Sequence, residues 1–352
     1  MSTSEGVGFE NVHVYDVPGE LFSGDVFGSI FDSKKSSRDA TFVLSVVYFP
    51  MVKLNILTYN IRGDLWNPEC TDEFTALVHK HEVDVICLQE VVRTFNQGQR
   101  SEEDANILQE LKRSLAEEFD TVEYLPVQAS DKSIGNAILF RHDGLCSIGQ
   151  NYGKAFPKRS SRALPEEWAD KFLVPMRRVI MSEKFTMDHK KLIVYNVHLD
   201  YFGGDTRRIS QIQHFFNLWG GEREGENIIE IIAGDFNTWL PYKLMKLYRR
   251  ISILARFLTK KGFIEASRHI PWTQIFDRSE ADSSSQKGIR QTNALERFVG
   301  KFDRSFKQKL DHIWIRGDAE VISCERLDVA LSDHYPVLLK LRLTGEKEDA
   351  DD

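Results

Sequence analysis

The stretch IIEIIAGDFN, residues 228–237, decides the fold class of this chain. Its first half is almost entirely apolar, which is typical of a strand buried on at least one face. Asp235 and Asn237 follow directly, so the strand ends in polar groups. Seven further short runs rich in Val, Ile and Leu predict strands of the same kind: 54–59, 83–88, 136–140, 179–185, 192–197, 313–315 and 337–343.

Helical patterns lie between these strands. Apolar residues recur at helical spacing in the segments 73–81, 102–119, 207–219 and 242–261. Gly262 follows the last segment, as a helix-ending residue should. Many strands interleaved with few helices predict two sheets packed face to face, with helices outside them.

The composition is that of a soluble globular protein, with 41% hydrophobic and 28% charged residues among 352. A net charge of -7 argues against a protein that coats polyanions with its whole surface, although it leaves room for a local basic patch.

The four cysteines show no zinc-ligand spacing. The start of the chain lacks a secretory signal, and the apolar run 41–50 falls short of the ~20 residues of a membrane helix. We therefore expect a cytoplasmic, monomeric protein without a transmembrane segment.

Polar side chains collect at the strand ends. Asn60, Glu90 and His198 each follow an apolar run, as Asp235 does. Strand ends at one edge of a sheet converge, so these side chains are predicted to form one site on rigid supports. Each residue alone has a plainer explanation, such as a turn or a surface acid. The ordered series favours a site.

Two further acids flank later strands. Asp311 opens the run 313–315, and Asp333 and His334 precede the run 337–343. Carboxylates with amides and imidazoles, and no thiolates, suit a hard cation such as Mg²⁺ or Mn²⁺. Such an ion neutralises phosphate charge. The pattern indicates a metal-dependent phosphoesterase.

Seven motifs in this order resemble the endonuclease/exonuclease/phosphatase superfamily, the deoxyribonuclease I-like metal-dependent phosphoesterases. They are YNIR (59–62), QE (89–90), GNAIL (135–139), NVHL (196–199), GDFN (234–237), LDHI (310–313) and SDHYPV (332–337). The resemblance runs from about Lys53 to Leu343. It implies an α/β fold, a four-layer α/β sandwich of two mixed central sheets flanked by helices.

The resemblance also implies a metal site. Glu90, helped by Asn60, would hold Mg²⁺ or Mn²⁺, and Asp333 would lie near the metal or a second metal position.

Catalytic roles follow from the same resemblance. Asp235 would orient or deprotonate the attacking water, and Asn237 would position the water and the phosphate. His334 would contact the phosphoryl oxygen as it gains charge, with Asp311 fixing its tautomer. His198 would bind the phosphate from the other side.

The residues that would contact the substrate are marked by less specific motifs. Arg62, in Asn-Ile-Arg, resembles the deoxyribonuclease branch, in which such an arginine reaches the nucleic-acid backbone. Either Arg177 or Arg178 resembles a family arginine near the scissile phosphate, and the sequence does not choose between them. Asn136 either faces the site or is a turn residue that starts a strand.

Two basic stretches flank the expected site. Residues 240–264 contain seven basic residues and no acid, and Lys246, Arg249 and Arg250 lie in this segment of helical spacing. Such a helix grips nucleic-acid phosphates, lies on an anionic membrane surface, or simply packs with a solvated basic face. Residues 287–309 are also basic and directly precede Asp311.

The sequence favours a phosphodiester hydrolase, with nucleic acid as its first-choice substrate. The alternative is a sphingomyelinase-like phospholipid phosphodiesterase, and a remote alternative is an inactive binding scaffold. Residues 1–50 carry no motif and are expected to be a partly disordered extension. The domain is expected to span 51–344, before an acidic disordered tail at 345–352.

Overall fold

The computed structural model describes residues 53–63, 66, 68–94, 107–128, 132–154, 179–187, 190–200, 204–218, 228–238, 252–277, 305–329 and 331–343. The predicted extension and acidic tail lie outside these residues, so both domain boundaries stay predictions. Among the helices in the described ranges, none combines the length and the apolar character needed to cross a bilayer.

The described elements follow one another as β1 Lys53–Asn60, α1 Pro68–Lys80, β2 Val85–Thr94, α2 Ile107–Leu115, β3 Phe119–Gln128, β4 Lys132–Arg141, β5 Cys146–Lys154, β6 Val179–Met187, β7 Lys190–His198, α3 Gly204–Leu218, β8 Ile228–Asp235, α4 Ile253–Lys260, β9 Ile264–Glu265, a 3-10 turn Ala266–His269, β10 Gln274–Asp277, β11 Ser305–Gln308, β12 Asp311–Arg316, β13 Ala319–Arg326 and β14 Val337–Leu343.

These strands form two six-stranded sheets and a small hairpin. The first sheet has the order β13-β14-β1-β2-β4-β3, and the second has the order β5-β6-β7-β8-β12-β9. Each sheet is antiparallel except for one central parallel pair, β1 with β2 and β7 with β8. Helix α1 joins the first parallel pair and α3 joins the second. The hairpin consists of β10 and β11.

Alternation along the strands produces four layers. Ile56 lies in the core between the sheets, together with Ile231 of the second sheet. Its neighbour Leu57 points the opposite way and packs with Phe74 of α1. On the outer face of the second sheet, residues of β7 and β8 pack against α3 and α4. The predicted four-layer α/β sandwich with two mixed sheets is confirmed.

Two predicted helices have different limits in the structure. The segment 242–261 is not one helix, because Ser252 has a non-helical ψ of 118°. Its Oγ accepts a hydrogen bond from Ala255 N, and α4 begins at Ile253. Asp205 of α3 holds this break by accepting from Ser252 Oγ at 2.8 Å and Leu254 N at 3.1 Å. The predicted helix over 102–119 ends at Leu115, and Phe119 begins β3.

The sequence patterns miss β3, β5 and β13, which all lie at sheet edges. In β13 most side chains are exposed or half-buried, including Val321 and Ile322. An edge strand with little buried surface has no apolar period to detect.

Candidate active site

The polar strand ends meet as the sequence predicts. In the second sheet, His198 at the end of β7 pairs with Asp235 at the end of β8. Asp311 at the start of β12 is the partner of Asp235 on its other side. Side chains of directly opposed residues lie within reach of one another, so three functional groups share one row of the sheet.

The first sheet contributes to the same place. Asn60, the last residue of β1, donates from Nδ2 to Asp235 Oδ2 at 3.2 Å. Glu90 Oε1 lies 3.8 Å from His198 Nε2, and the same nitrogen lies 3.5 Å from Asp235 Oδ2. The site therefore joins both sheets at one edge of the sandwich.

Backbone strain concentrates at this edge. The described non-glycine residues with positive φ are Arg62, Glu82, Glu90 and Asn237, with φ values of 45°, 49°, 54° and 50°. Three of these four are predicted site residues. Such conformations are unfavourable for most side chains and cluster where function requires them. At Glu90, the register of β2 shifts between Leu88 and Val91, a bulge that redirects the carboxylate.

The segment 234–237 explains why a glycine precedes Asp235. Gly234 has a φ of 141°, and a Cβ there would lie 2.0 Å from the Val197 carbonyl oxygen. Asp235 Oδ1 accepts from Asn237 N at 2.8 Å, in a local turn that asparagine's left-handed conformation permits. Asn237 Nδ2 donates to Leu199 O at 2.8 Å. The two residues are thus linked by this turn, in which Asn237 leaves the extended conformation.

His334 and Asp311 form a buried pair. His334 Nδ1 lies 2.8 Å from Asp311 Oδ2, and their side chains are 5% and 1% exposed. Burial alone would lower the pKa of His334, but Asp311, and after it Asp333 and Asp235, raise that pKa to about 10. The imidazolium is therefore the stable form of His334 in this environment.

Asp333 is held by several donors. Its Oδ2 accepts from Arg62 Nη1 and from Gln274 Nε2, each at 3.1 Å, and its Oδ1 accepts from Ser332 Oγ at 3.2 Å. Burial would raise the pKa of Asp333, but His334, Arg62 and these hydrogen bonds hold that pKa below its usual range. Asp333 thus connects Arg62 to the site, while Arg62 remains about one-third exposed (32%).

The donor set fits a hard divalent cation. One ligand atom from each of Asp235, Asp311 and His334 lies within 4.8 Å of the others. Asp311 Oδ1 is buried without a hydrogen-bond partner among the described residues. Carboxylate and amide oxygens without thiolates are the ligands that Mg²⁺ and Mn²⁺ prefer, whereas a protonated His334 has no lone pair for a cation. The predicted metal residues, Asn60 and Glu90, border this group through their contacts with Asp235 and His198.

Asn136 of β4 contacts the second sheet. It is 1% exposed, and its Nδ2 donates to Val179 O at 3.3 Å and to Asn196 O at 3.4 Å. Its neighbour Asn196 donates to Leu88 O at 2.9 Å and Ala137 O at 2.8 Å, which ties the two sheets together beneath Glu90. The structure places Asn136 in this network between the sheets.

Arg208 is a supporting residue that the sequence did not single out. It is 5% exposed, donates to the Asn237 carbonyl from Nη2, and donates to Asp200 O from Nε at 3.0 Å. Its position in a polar helix start, beside Arg207, suggests a solvated charge, so its burial could not be predicted. The predicted substrate residues Arg177, Arg178, Lys246, Arg249 and Arg250 lie outside the described residues.

Comparisons with known proteins agree with this architecture. The model of the Endonuclease/Exonuclease/phosphatase family matches residues 57–334. No curated protein gives a significant sequence match. A family protein from Leptotrichia buccalis superposes with a TM-score of 0.56 at 17% identity, covering 82% of this chain and 99% of the other.

Two other solved structures share the fold. The mannosyl-6-phosphatase of Bacteroides thetaiotaomicron has a TM-score of 0.52 at 16% identity and covers 82% of this chain and 99% of its own. D. rerio TDP2, complexed with a single-strand DNA product, has a TM-score of 0.50 at 15% identity over 82% of this chain and 98% of its own. The match of the family model over most of the chain decides the assignment: this chain belongs to the endonuclease/exonuclease/phosphatase family.

Proposed function

We propose that this protein is a Mg²⁺- or Mn²⁺-dependent phosphodiester hydrolase that acts on nucleic acid. The observation that carries hydrolysis is the group formed by Asp235, Asp311 and His334, whose ligand atoms lie within 4.8 Å of one another. It places a carboxylate suited to accept a proton beside an imidazolium suited to stabilise negative charge.

The water would be activated by Asp235. Its carboxylate is fixed by Asn60 Nδ2 at 3.2 Å and by Asn237 N at 2.8 Å, so it presents a defined orientation to an incoming water. A base held within hydrogen-bond reach of its water contributes roughly 10²–10⁴-fold to rate. Asn237 supports this geometry, since Arg208 donates to its carbonyl and Leu199 O accepts from its side chain.

The developing charge on the phosphate would be met by His334 and His198. Because Asp311 binds Nδ1 of His334, the Nε2–H of that ring is the donor left for a phosphoryl oxygen. His198 Nε2 lies between the carboxylates of Glu90 and Asp235, on the first-sheet side of the site. The two imidazoles would thus contact the phosphate from different sides.

Glu90 and Asn60 would hold the cation, with Asp333 supporting the site through Arg62. When bound, a divalent ion neutralises phosphate charge and polarises a phosphoryl oxygen. Glu90 suits this role because its side chain is the more accessible one, at 26% exposure against 3% for Asp235.

The positive charge of the segment 240–264 favours nucleic acid as the substrate. Residues 240–264 contain seven basic residues and no acid. In the described part of this stretch, Arg256, Lys260 and Lys261 are exposed while Leu254 and Leu258 are buried. A polyanion gains more from such a surface than a small neutral ester does. The fold does not choose the substrate, since its relatives include a sugar phosphatase and a protein bound to single-strand DNA.

The test is a substrate panel of supercoiled plasmid, single-stranded RNA and sphingomyelin vesicles, each with Mg²⁺, with Mn²⁺ and with EDTA. We expect metal-dependent cleavage of a nucleic acid, and no cleavage by a His334→Ala preparation purified in parallel. Metal-dependent hydrolysis of sphingomyelin alone would replace the nuclease by a phospholipid phosphodiesterase. Activity that EDTA does not abolish would contradict the proposed mechanism.

A further inference from the structure

A second cluster of charged groups adjoins the site and takes no part in the chemistry above. It consists of Trp272, Lys307, Arg326 and Tyr335, here called the cation–aromatic cluster. The Arg326 guanidinium lies 3.4 Å from the centroid of the Trp272 ring and 5.0 Å from that of Tyr335. Lys307 Nζ lies 4.5 Å from the Trp272 centroid. Two cations therefore share one indole ring.

The cluster borders the catalytic residues along the chain and across the sheets. Tyr335 directly follows His334, and its backbone N–H donates to Thr273 O at 2.7 Å. Gln274, which binds Asp333, is two residues from Trp272. Arg326 ends β13 opposite Val337, at the edge of the first sheet where β1 ends in Asn60. Tyr335 and Trp272 are therefore one and two residues along the chain from His334 and Gln274, and consecutive Cα atoms are about 3.8 Å apart.

The contacts of this cluster give its two cations one acidic partner among the described residues. Arg326 pairs with Asp328, whose side chain is 76% exposed. Arg326 Nε is buried without a hydrogen-bond partner among the described residues. Lys307 and Arg326 are at most about 8 Å apart, given their distances from the shared ring. Two cations this close repel each other, and an anion bound to either of them would lower that repulsion.

The rings fix the cations in place. Trp272 and Tyr335 meet edge to face, with an interplanar angle of 90° and centroids 5.1 Å apart. A guanidinium held in such a corner loses little conformational freedom when it binds an anion, and arginine matches phosphate with paired donors. Trp272, Lys307, Arg326 and Tyr335 are all half-buried, so the cluster is accessible from solvent.

We infer that the cation–aromatic cluster binds a second phosphate of the substrate, next to the one that is hydrolysed. The inference rests on the proposed nuclease function and deepens it. The catalytic edge carries an excess of carboxylates, while the adjoining cluster carries an excess of cations. A nucleic-acid strand places its phosphates in a row, so one can be hydrolysed while the next is bound by Arg326 and Lys307.

The alternative is that the cluster only fastens β13 to the β10–β11 hairpin. Arg316 offers a matched control, because its guanidinium also stacks on an aromatic ring, 4.6 Å from the Phe263 centroid, and pairs with an acid, Glu230. Arg316 ends β12 five residues after Asp311, which at about 3.3 Å per residue places it at the opposite edge of the sheet.

The test compares two dinucleotides, dTpdT and pdTpdT, which differ by one terminal phosphate. For the wild type, we expect kcat/KM to be at least about tenfold higher for pdTpdT, since a tenfold preference corresponds to about 1.4 kcal/mol. In Arg326→Gln and Lys307→Gln that ratio should fall toward one, and in Arg316→Gln it should equal the wild-type ratio. Arg326→Lys should restore part of the ratio, because it keeps the charge.

The outcomes separate the two proposals. If the wild type hydrolyses neither dinucleotide, nor the longer nucleic acids, the nuclease function fails. If it hydrolyses both without preference for pdTpdT, and shows no preference for dTpdTp, which carries the extra phosphate at the other end, only the phosphate subsite fails. Thermal unfolding of each variant shows whether it is folded, and an Arg326→Gln protein that keeps the wild-type ratio would show that the cluster is structural.

Discussion

Two buried acid–histidine groups lie on opposite faces of β12, and they differ in how their charge is balanced. The proposed catalytic group, here called the catalytic group, consists of Asp235, Asp311, Asp333 and His334. The group here called the structural group consists of Glu265, Lys309 and His312. Asp311 and His312 are consecutive strand residues, so their side chains point to opposite faces of the sheet.

The structural group is balanced within the protein. Glu265 Oε1 accepts from Lys309 Nζ at 2.7 Å and lies 2.9 Å from His312 Nδ1, while His312 Nε2 lies 2.8 Å from Thr238 Oγ1. Burial would raise the pKa of Glu265, but His312 and Lys309 hold that pKa far below its usual range. One carboxylate thus contacts two basic residues of the same group.

The catalytic group has the opposite charge balance, with three carboxylates and one histidine. Three carboxylates surround His334, and Glu90 lies beyond His198, 3.8 Å from its Nε2. The basic groups that contact these carboxylates in the described residues include Arg62 and the two histidines. Positive φ values at Arg62, Glu90 and Asn237 all belong to this side. We infer that excess acid together with backbone strain, and not burial of an acid–histidine pair alone, distinguishes the proposed functional group.

The largest difference between the groups should appear in turnover. We expect Asp235→Asn and His334→Ala each to lower kcat for bis-p-nitrophenyl phosphate by about 10²–10⁴-fold, because each removes a separate contribution to the transition state. His312→Asn should stay within about tenfold of wild type when assayed under conditions where it is folded. If Asp235→Asn or His334→Ala kept more than a tenth of wild-type turnover, the role of that residue would be wrong.

A smaller difference should appear in the stability of the metal-free protein. Glu265→Gln removes the partner of buried Lys309, so the free energy of unfolding should fall by about 3 kcal/mol. Glu90→Gln relieves charge repulsion at a partly exposed position and should change it by less than about 1 kcal/mol. Urea unfolding in EDTA measures both. Equal losses in the two variants would remove the distinction between the groups.

The smallest effect should be a pH dependence. The pKa of His334 is raised to about 10, so its charged form stabilises the metal-free fold below the unfolded value of 6.5. That stability should be lost as pH rises toward 10, at up to about 1.4 kcal/mol per pH unit. The difference in unfolding free energy between wild type and His334→Gln measures it in EDTA. A difference that stayed constant from pH 6.5 to 9 would contradict the pairing with Asp311.

The sequence predicted the centre of the fold better than its edges. Central strands such as β8 are buried on both faces, so their apolar runs and polar ends are visible in the sequence. The break at Ser252 could not be predicted, since apolar spacing continues through it while Asp205, 47 residues away, fixes the helix start. Edge strands such as β13 bury too little surface to leave a pattern.

The candidate site could likewise be predicted only in part. The carboxylates and histidines could be placed because each adjoins a strand whose end the sequence marks. Gln274 and Ser332 could not, because their roles arise only from contacts with Asp333 that the fold creates. Asp333 is bound by Arg62, Gln274 and Ser332, so its residue type alone does not determine whether it contacts a metal.

The most direct measurement is a calorimetric titration of Mn²⁺ into the metal-free protein, its Glu90→Gln variant and its Glu265→Gln variant. We expect saturable binding to wild type, binding weakened at least about tenfold (about 1.4 kcal/mol) in Glu90→Gln, and unchanged binding in Glu265→Gln where that protein is folded. Absence of binding to wild type at millimolar Mn²⁺, or equal affinity in Glu90→Gln, would contradict a cation site at the acid-rich edge.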